Sequence, residues 1–478
     1  MARARAILDE HAGDAPCGVE PAPPPLRVDP HPGARDALLH AAYDLLMLVA
    51  LVLASPWLAW RWCSSPAFRR LAPARLARRL PARGARRRVL VHGVSVGEVK
   101  AAQSIIRELE RTRPDLEVVV CTTTDTGEAM ARRTYPHLVV VRFPLDLRPV
   151  VRRFLRVLDP ACVVLVELEV WPNFLREANR RGVPLVVVNG RITERSHRRY
   201  GRARALLPAF DRLSLLLAQD EEYARRFASL CRDGSRIRVT GNVKVDGLGT
   251  GRAHPGEELA RLLGPAPGDL CLVGGSTHEP EELLVARAAR ASGAALGIVL
   301  VPRHPDRAAS VANALRAAGF EVQLLTELRR GREPSPRAVR IVDTIGELEG
   351  VYALADIVVV GGSFVPHGGQ NLLEPAAQRR CVLHGPHMWN FAAETRLLQR
   401  RAGALEVPDE EGLAQALRAL AGDPARRAAM GANGLEAVEL QRGATARTMA
   451  WLEPCLPRAE GGLGAGAAVD AGWTTLGS

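Results

Sequence analysis

Short apolar runs, each leading into a small-residue turn and then a helical segment, recur along this chain and constrain its fold more than any other feature. In the first half they are Val89–Val91, Glu117–Cys121, Leu138–Arg142, Ala161–Val166 and Leu185–Val188. A strand that stays apolar on successive residues presents apolar side chains to both faces of its sheet, so both faces must be covered. The segments Val99–Leu109, Val150–Leu158 and Trp171–Arg181, with one running through Arg133, carry the helical period between them. Strand–helix alternation at this spacing predicts a doubly wound parallel sheet.

The pattern breaks between Gly241 and Gly256, where five glycines and a proline mark an interdomain linker. A second series follows, with strands expected at Leu270–Gly274, Gly297–Val301, Glu321–Leu325, Val339–Val342, Ile357–Val360 and Cys381–His384. Glu279–Arg290 and Ala308–Ala318 are its clearest helices, and helical segments continue to about Trp451. The expected fold is therefore α/β: two Rossmann-like doubly wound domains facing a cleft, 89–245 and 252–455.

The N-terminus is of another kind. Residues 1–36 are rich in proline, alanine and glycine and predict a disordered leader. Residues 37–62 predict a membrane anchor: Leu45–Trp60 is free of charge, and Trp57, Trp60 and Trp62 gather at its end, as in an interfacial aromatic belt. A buried core helix is the competing reading. The basic segment 63–88 favours the membrane, because ten arginines and no acid lie between Arg61 and Arg88. Such a flank marks the cytoplasmic side and attracts anionic lipid. The tail at 456–478 is low in complexity and expected to be flexible.

A net charge of +12 would also permit nucleic-acid binding, but aromatic content is only 4% and no basic–aromatic interleaving occurs. An anionic membrane or substrate accounts for the charge better, and no nucleic-acid partner is expected. The eight cysteines include no C-x-x-C pair and read as reduced thiols.

Ligands of doubly wound sheets bind beyond the carboxyl ends of the strands, so residues there carry the functional reading. Glu98 follows the Val89–Val91 strand at the start of a helix, where it is either a capping acid or a catalytic base. Glu167 and Glu169 end another strand and point to one side, as a solvated pair or as a site, since buried carboxylates need partners. Lys244 is one of only two lysines, with Lys100, and alone reads as an ordinary surface residue. In the second half, Gly274–His278 opens a helix where backbone N–H groups could meet phosphate, without P-loop spacing. Arg303 follows a strand and suits a phosphate or carboxylate. Asp343–Glu347 and Gly361–Ser363 are further strand-end turns. Asn371 and Glu374 stand three apart, spaced as a capping pair or as ligand contacts.

These motifs, taken in order, resemble the 3-deoxy-D-manno-octulosonic acid (Kdo) transferases of lipopolysaccharide (lipid A) synthesis, inverting glycosyltransferases of the GT-B architecture. The resemblance rests on Ser95–Glu98, Glu167–Asn173, Asn189–Ser196, Gly241–Asp246, Ser276–Glu282, Pro302–Arg307, Asp343–Leu348, Gly361–Pro375 and His384–Phe391. It covers roughly residues 40–450, with two departures, Leu168 for a usual threonine and Gly190 for a usual alanine. It implies Glu98 as general base, with Glu167 and Lys244 stabilising the transition state. It implies that Pro302, Arg303, Ile345, Gly346, Glu347, Asn371, Leu372, Leu373 and Glu374 bind the CMP part of a CMP-Kdo donor. The acceptor would be a lipid A precursor (lipid IVA), met at the cytoplasmic side of the inner membrane. No metal and no cofactor are implied. Two other readings stay open: a membrane-associated GT-B transferase using a UDP- or GDP-sugar, and an inactive membrane-tethered binding protein.

Overall fold

The computed structural model describes residues 34–203, 209–249 and 255–458. The leader up to residue 33, part of the linker and the tail from residue 459 lie outside the described residues. The chain divides into two units, one running to Lys244 and resuming at Gly443, the other comprising Val245–Arg442.

The first unit holds a seven-stranded sheet of β1 (Arg87–His92), β2 (Leu116–Thr122), β3 (Val139–Arg142), β4 (Pro160–Val166), β5 (Leu185–Gly190), β6 (Leu215–Ala218) and β7 (Ile237–Val239). Their order is β3-β2-β1-β4-β5-β6-β7 and every pairing is parallel. Alternate residues feed two cores. Val89, Val91, Val118, Val120 and Val164 pack on one face with Ile105, Ile106 and Leu109. Leu90, Val119, Val163 and Leu165 pack on the other with Phe154, Leu155 and Phe174. This two-sided burial is why the strands read as unbroken apolar runs.

Two strands were not expected from sequence. β6 is a leucine run without β-branched residues, and β7 is a short edge strand interrupted by Arg238. The helix expected at Val99–Leu109 divides at Ala102 into Val96–Ala101 and Gln103–Thr112. A larger difference lies at the C-terminus. Residues up to 455 are expected in the second domain, but the helix Ala444–Leu452 contributes Met449 and Leu452 to a core of the first sheet. Its apolar face carries no mark of which sheet it covers.

At the N-terminus, α1 (Ala34–Ser64) is a single helix of 31 residues. Its stretch Ala37–Ser64 reaches a mean hydropathy of 2.1 and is long and apolar enough to cross a membrane. Pro56 within it leaves the Val52 carbonyl without its usual N–H donor, and Ser55 Oγ donates to that carbonyl at 2.7 Å instead. The basic segment after it is not featureless: α2 (Pro66–Arg75) starts at Ser65, whose Oγ accepts from the Phe68 N–H.

The second unit holds β8 (Leu270–Thr277), β9 (Leu296–Pro302), β10 (Val322–Leu324), β11 (Val339–Ile341), β12 (Ile357–Val360), β13 (Cys381–His384) and β14 (Ala404–Glu406), ordered β10-β11-β9-β8-β12-β13-β14 and all parallel. β14 also escaped the sequence reading; it is three residues long.

In each sheet the strand order reverses beside its first strand, between β1 and β4 and between β8 and β12, the kind of point at which doubly wound sheets bind ligands. At the second of these points Glu281 ties the two loops together. It is 1% exposed and accepts N–H bonds from His278 at 2.8 Å, Gly362 at 2.6 Å, and Ser363 and Phe364 at 2.9 Å each. Burial pushes its carboxyl above the usual range and the four donors pull it part of the way back. Gly361 follows β12 because a Cβ there would stand 2.4 Å from the Ser276 carbonyl oxygen. Glu281→Ala would strand four buried donors at a cost of about 1–3 kcal/mol each before relaxation. Its melting temperature should fall by several degrees, and Glu281→Gln, which keeps an acceptor, should fall less; equal melting temperatures for all three proteins would refute this role.

Candidate active site

Glu98 is the third residue of the helix Val96–Ala101. Its carboxylate turns back over the preceding loop, accepting from the Val94 N–H and from Ser95 Oγ at 3.2 Å. Gly93 permits this fold-back: a Cβ at Gly93 would lie 3.1 Å from Glu98 Cβ. The loop is fixed from the side by Thr124, whose Oγ1 donates to the Val94 carbonyl at 2.9 Å. The Glu98 carboxylate thus ties down the loop ahead of the helix, whose N-cap, Ser95, makes no side-chain cap bond. Burial raises the Glu98 pKa most, and the nearby charges of Glu167 and Glu169 add to it. The two donors oppose them, and the result is about 7.

Glu167 follows β4 with φ +65, in the left-handed region that a glutamate enters only at a cost of order 1–3 kcal/mol. That turn aims its side chain at Lys244, Oε1 to Nζ 2.5 Å, while Arg191 Nε stands 3.9 Å from Oε2. Lys244 lies on the short helix Val243–Asp246, held by two asparagines. Asn242 Oδ1 accepts the Lys244 N–H and Asn189 Oδ1 accepts the Val243 N–H, both at 3.1 Å. Asn189 is itself left-handed, φ +55, at the end of β5. Gly241 needs no side chain for two reasons: its φ is +93, and a Cβ would meet Arg447 at 2.9 Å and Ala444 at 3.1 Å.

Glu169 accepts from Trp171 Nε1 at 2.7 Å and lies 3.8 Å from His92 Nε2. His92 ends β1 fully buried, stacked 4.2 Å from Phe143, with Nδ1 3.0 Å from the Cys121 carbonyl oxygen. The carbonyl requires a proton on Nδ1. Nothing in the sequence marks this histidine, since one His between apolar residues carries no signal of its own. Of the two departures from the family pattern, Leu168 packs against a core, and Gly190 sits in a tight pocket where a Cβ would meet the Leu217 carbonyl at 3.1 Å. Glu98, Glu167, Glu169, His92 and Lys244 all belong to the carboxyl edge of the first sheet: one group of pKa near 7 beside a carboxylate–ammonium pair.

The second unit's candidates lie along the carboxyl edge of its own sheet. Pro302 ends β9, and Arg303, exposed and without an ion-pair partner among the described residues, follows it. Arg303 and Arg307, with His367 and His304, help burial to hold His278 down to about 4. His278 stacks on His367 at 4.3 Å and meets Gln370 Nε2 at 3.2 Å. In the loop after β11, Ile345 is 82% exposed, Gly346 has φ +99, and Glu347 pairs with Arg329 at 2.8 Å. Asn371 donates to Glu374 Oε1 and accepts from the Leu373 N–H, both at 3.1 Å, so the two side chains are paired, while the N-cap of the helix Leu373–Ala377 is Leu372, without a side-chain cap bond. Leu372 and Leu373 have their side chains in the core and offer a ligand only backbone. Among the described residues no group of three or more His, Cys, Asp or Glu could hold a metal ion.

Comparison with known proteins places the chain in a family. Residues 70–247 match the family described as 3-Deoxy-D-manno-octulosonic-acid transferase (kdotransferase). The chain is 38% identical over 409 residues to the 3-deoxy-D-manno-octulosonic acid transferase of Bordetella pertussis, covering 80% of this chain and 92% of that one. It is 33% identical over 384 residues to the transferase of the same name from Haemophilus influenzae, covering 77% and 87%. Among solved structures, a glycosyltransferase from Rickettsia africae matches with a TM-score of 0.52 at 11% identity, over 78% of this chain and 99% of that one. UDP-GlcNAc 2-epimerase from Neisseria meningitidis matches with a TM-score of 0.52 at 12% identity, over 77% and 100%. At such identities these two speak for the fold alone, which is GT-B-like. On the strength of its sequence relatives, the chain belongs to the 3-deoxy-D-manno-octulosonic acid transferase family and is a glycosyltransferase.

Proposed function

We propose that this transferase moves Kdo from CMP-Kdo onto a hydroxyl of a lipid A precursor, lipid IVA, with inversion, at the cytoplasmic face of the inner membrane. The observation that carries this reading is Glu98, a partly buried carboxyl brought to about 7 beside the Glu167–Lys244 pair. A group of that pKa is half ionised near neutrality and takes a proton at little cost.

In this mechanism the acceptor oxygen attacks the anomeric carbon of Kdo while its proton passes to Glu98. The bond from that carbon to the phosphate oxygen breaks, and its electron pair leaves with CMP. Lys244, held at Glu167, offsets negative charge as the bond breaks. In the second unit Arg303, Gly346 with its neighbours Ile345 and Glu347, and Asn371 with Glu374 bind the nucleotide, and Pro302, Leu372 and Leu373 hold that edge in shape. Arg303, without an ion-pair partner among the described residues, takes the phosphate.

Incubation with CMP-Kdo and lipid IVA should yield a Kdo–lipid product by mass spectrometry; its absence, or competition by UDP in preference to CMP, would sink the reading. Glu98→Ala should lower the rate by a factor of about 10²–10⁴. Because the ionised form is the base, kcat/KM should rise with pH and level off above about 7. A profile flat from well below to well above that pH would remove Glu98 from the base role. Glu167→Gln and Lys244→Met should each slow turnover, and the double variant should lose much less than the sum of the two in free energy, because the pair acts as a unit. Full additivity would separate them.

A further inference from the structure

α1 leaves and re-enters the first unit at adjacent points. Near its start, Tyr43 Oη donates to Asp146 Oδ2 at 3.0 Å, and Asn173 Nδ2 donates to Asp44 Oδ1 at 2.8 Å. Asp146 is fixed in turn: its carboxylate accepts the N–H groups of Asn173 at 3.0 Å and Phe174 at 2.8 Å. At the other end of the excursion the Arg75 carbonyl accepts the N–H of Leu145, the residue beside Asp146, at 2.8 Å. Ala77 is 1% exposed, and its carbonyl accepts from Arg153 Nε at 2.9 Å. Polar residues inside an otherwise apolar helix thus latch it to the domain, and the chain returns 31 residues later to the same place.

The lengths decide what such an excursion can reach. From Asp44 to Ser64 the helix is about 30 Å long, whereas α2 gives only about 15 Å of return. Ser64 therefore stays within roughly 20 Å of Arg75, short of the ~30 Å hydrocarbon core of a bilayer. The turn is closed as well: the Arg69 guanidinium donates to the carbonyls of Trp62 at 2.8 Å and Cys63 at 2.9 Å, satisfying the end of α1. Trp57 packs edge-on against Phe68, and the Arg61 guanidinium lies 5.8 Å from the centre of the Trp57 ring. Trp57, Trp60, Trp62 and Arg61 are groups that settle at headgroup level. So is the Tyr43–Asp44 latch at the opposite end.

Resting on the membrane attachment put forward above, we infer that α1 does not cross the bilayer but lies in the cytoplasmic leaflet as one arm of a closed hairpin, its two ends at the same interface. Leu45, Leu46, Leu48, Val49, Val52 and Leu53 are exposed and meet acyl chains. Apolar on all sides, the helix lies below the headgroups rather than half out of them, as an amphipathic surface helix would. The arginines of α2 and of the segment after it take anionic headgroups.

Cys63 is exposed at the turn, and Cys121, Cys162, Cys271, Cys381 and Cys455 are buried, so it serves as the reporter in the full-length protein carrying Cys17→Ser and Cys231→Ser. A membrane-impermeant sulfonated maleimide is applied to right-side-out spheroplasts and to inverted inner-membrane vesicles, with Ala34→Cys in a Cys63→Ser background reporting the start of α1. Labelling of both reporters in inverted vesicles, with none in intact spheroplasts, is the expected result. Labelling of either reporter from the periplasmic face means that α1 spans, and labelling of Cys63 from neither face means that the turn is buried in acyl chains. Either result overturns the inference while leaving the protein in the membrane fraction. Loss of the protein from washed membranes would instead overturn the attachment itself, and the hairpin with it.

Discussion

A parallel strand covered on both faces can expose a polar group only where it stops. That constraint governs both sheets here. Val89–Val91 and Val163–Val166 are buried residue by residue, and the chemistry-bearing side chains begin immediately beyond them, at His92, Glu98, Glu167 and Glu169. Apolar cover on both sides also keeps water away from the loops it supports. A carboxyl placed there feels both desolvation and any neighbouring charge more strongly than it would in solvent.

Two glutamates show how the same environment yields opposite outcomes. Glu98 and Glu281 each follow the first strand of their sheet and each folds back on the preceding loop. Glu281 is sealed, and four N–H groups occupy its two oxygens, so nothing is left over for a ligand. Glu98 has two donors, stays partly accessible and faces other carboxylates, which leaves its proton affinity high and lone pairs to spare. Donor count and access, rather than residue type or position, separate a sealed carboxylate from one that can still exchange a proton.

Most of the architecture was legible in the sequence, because parallel strands betray themselves by continuous apolar runs. What was hidden had a physical reason in each case. β7 and β14 are three-residue edge strands whose identity comes from the neighbour they pair with. Ala444–Leu452 buries its apolar face in the first unit through packing that no local pattern encodes. At the site, Glu98, Glu167 and Lys244 were picked out by position and rarity, but not the 2.5 Å pairing of the last two, which depends on left-handed turns at Glu167 and Asn189. His92 was invisible because its partners, Cys121, Phe143 and Glu169, come from three other segments. In the second half, Leu372 and Leu373 read as part of a ligand motif, and the sequence did not show that their side chains lie in the core and leave only backbone to a ligand.

The late return of the chain to its first unit changes how a shortened protein would fail. The helix Ala444–Leu452 supplies Met449 and Leu452 to the layer that supports β1, and Thr448 Oγ1 bonds Thr240 Oγ1 at 3.1 Å beside the Gly241 turn that carries Lys244. A stop codon just before residue 444 would delete nothing from the second unit. It would uncover the floor beneath Glu98 and loosen the turn that presents Lys244, so damage at one end of the gene would surface as a defect in the half encoded at the other.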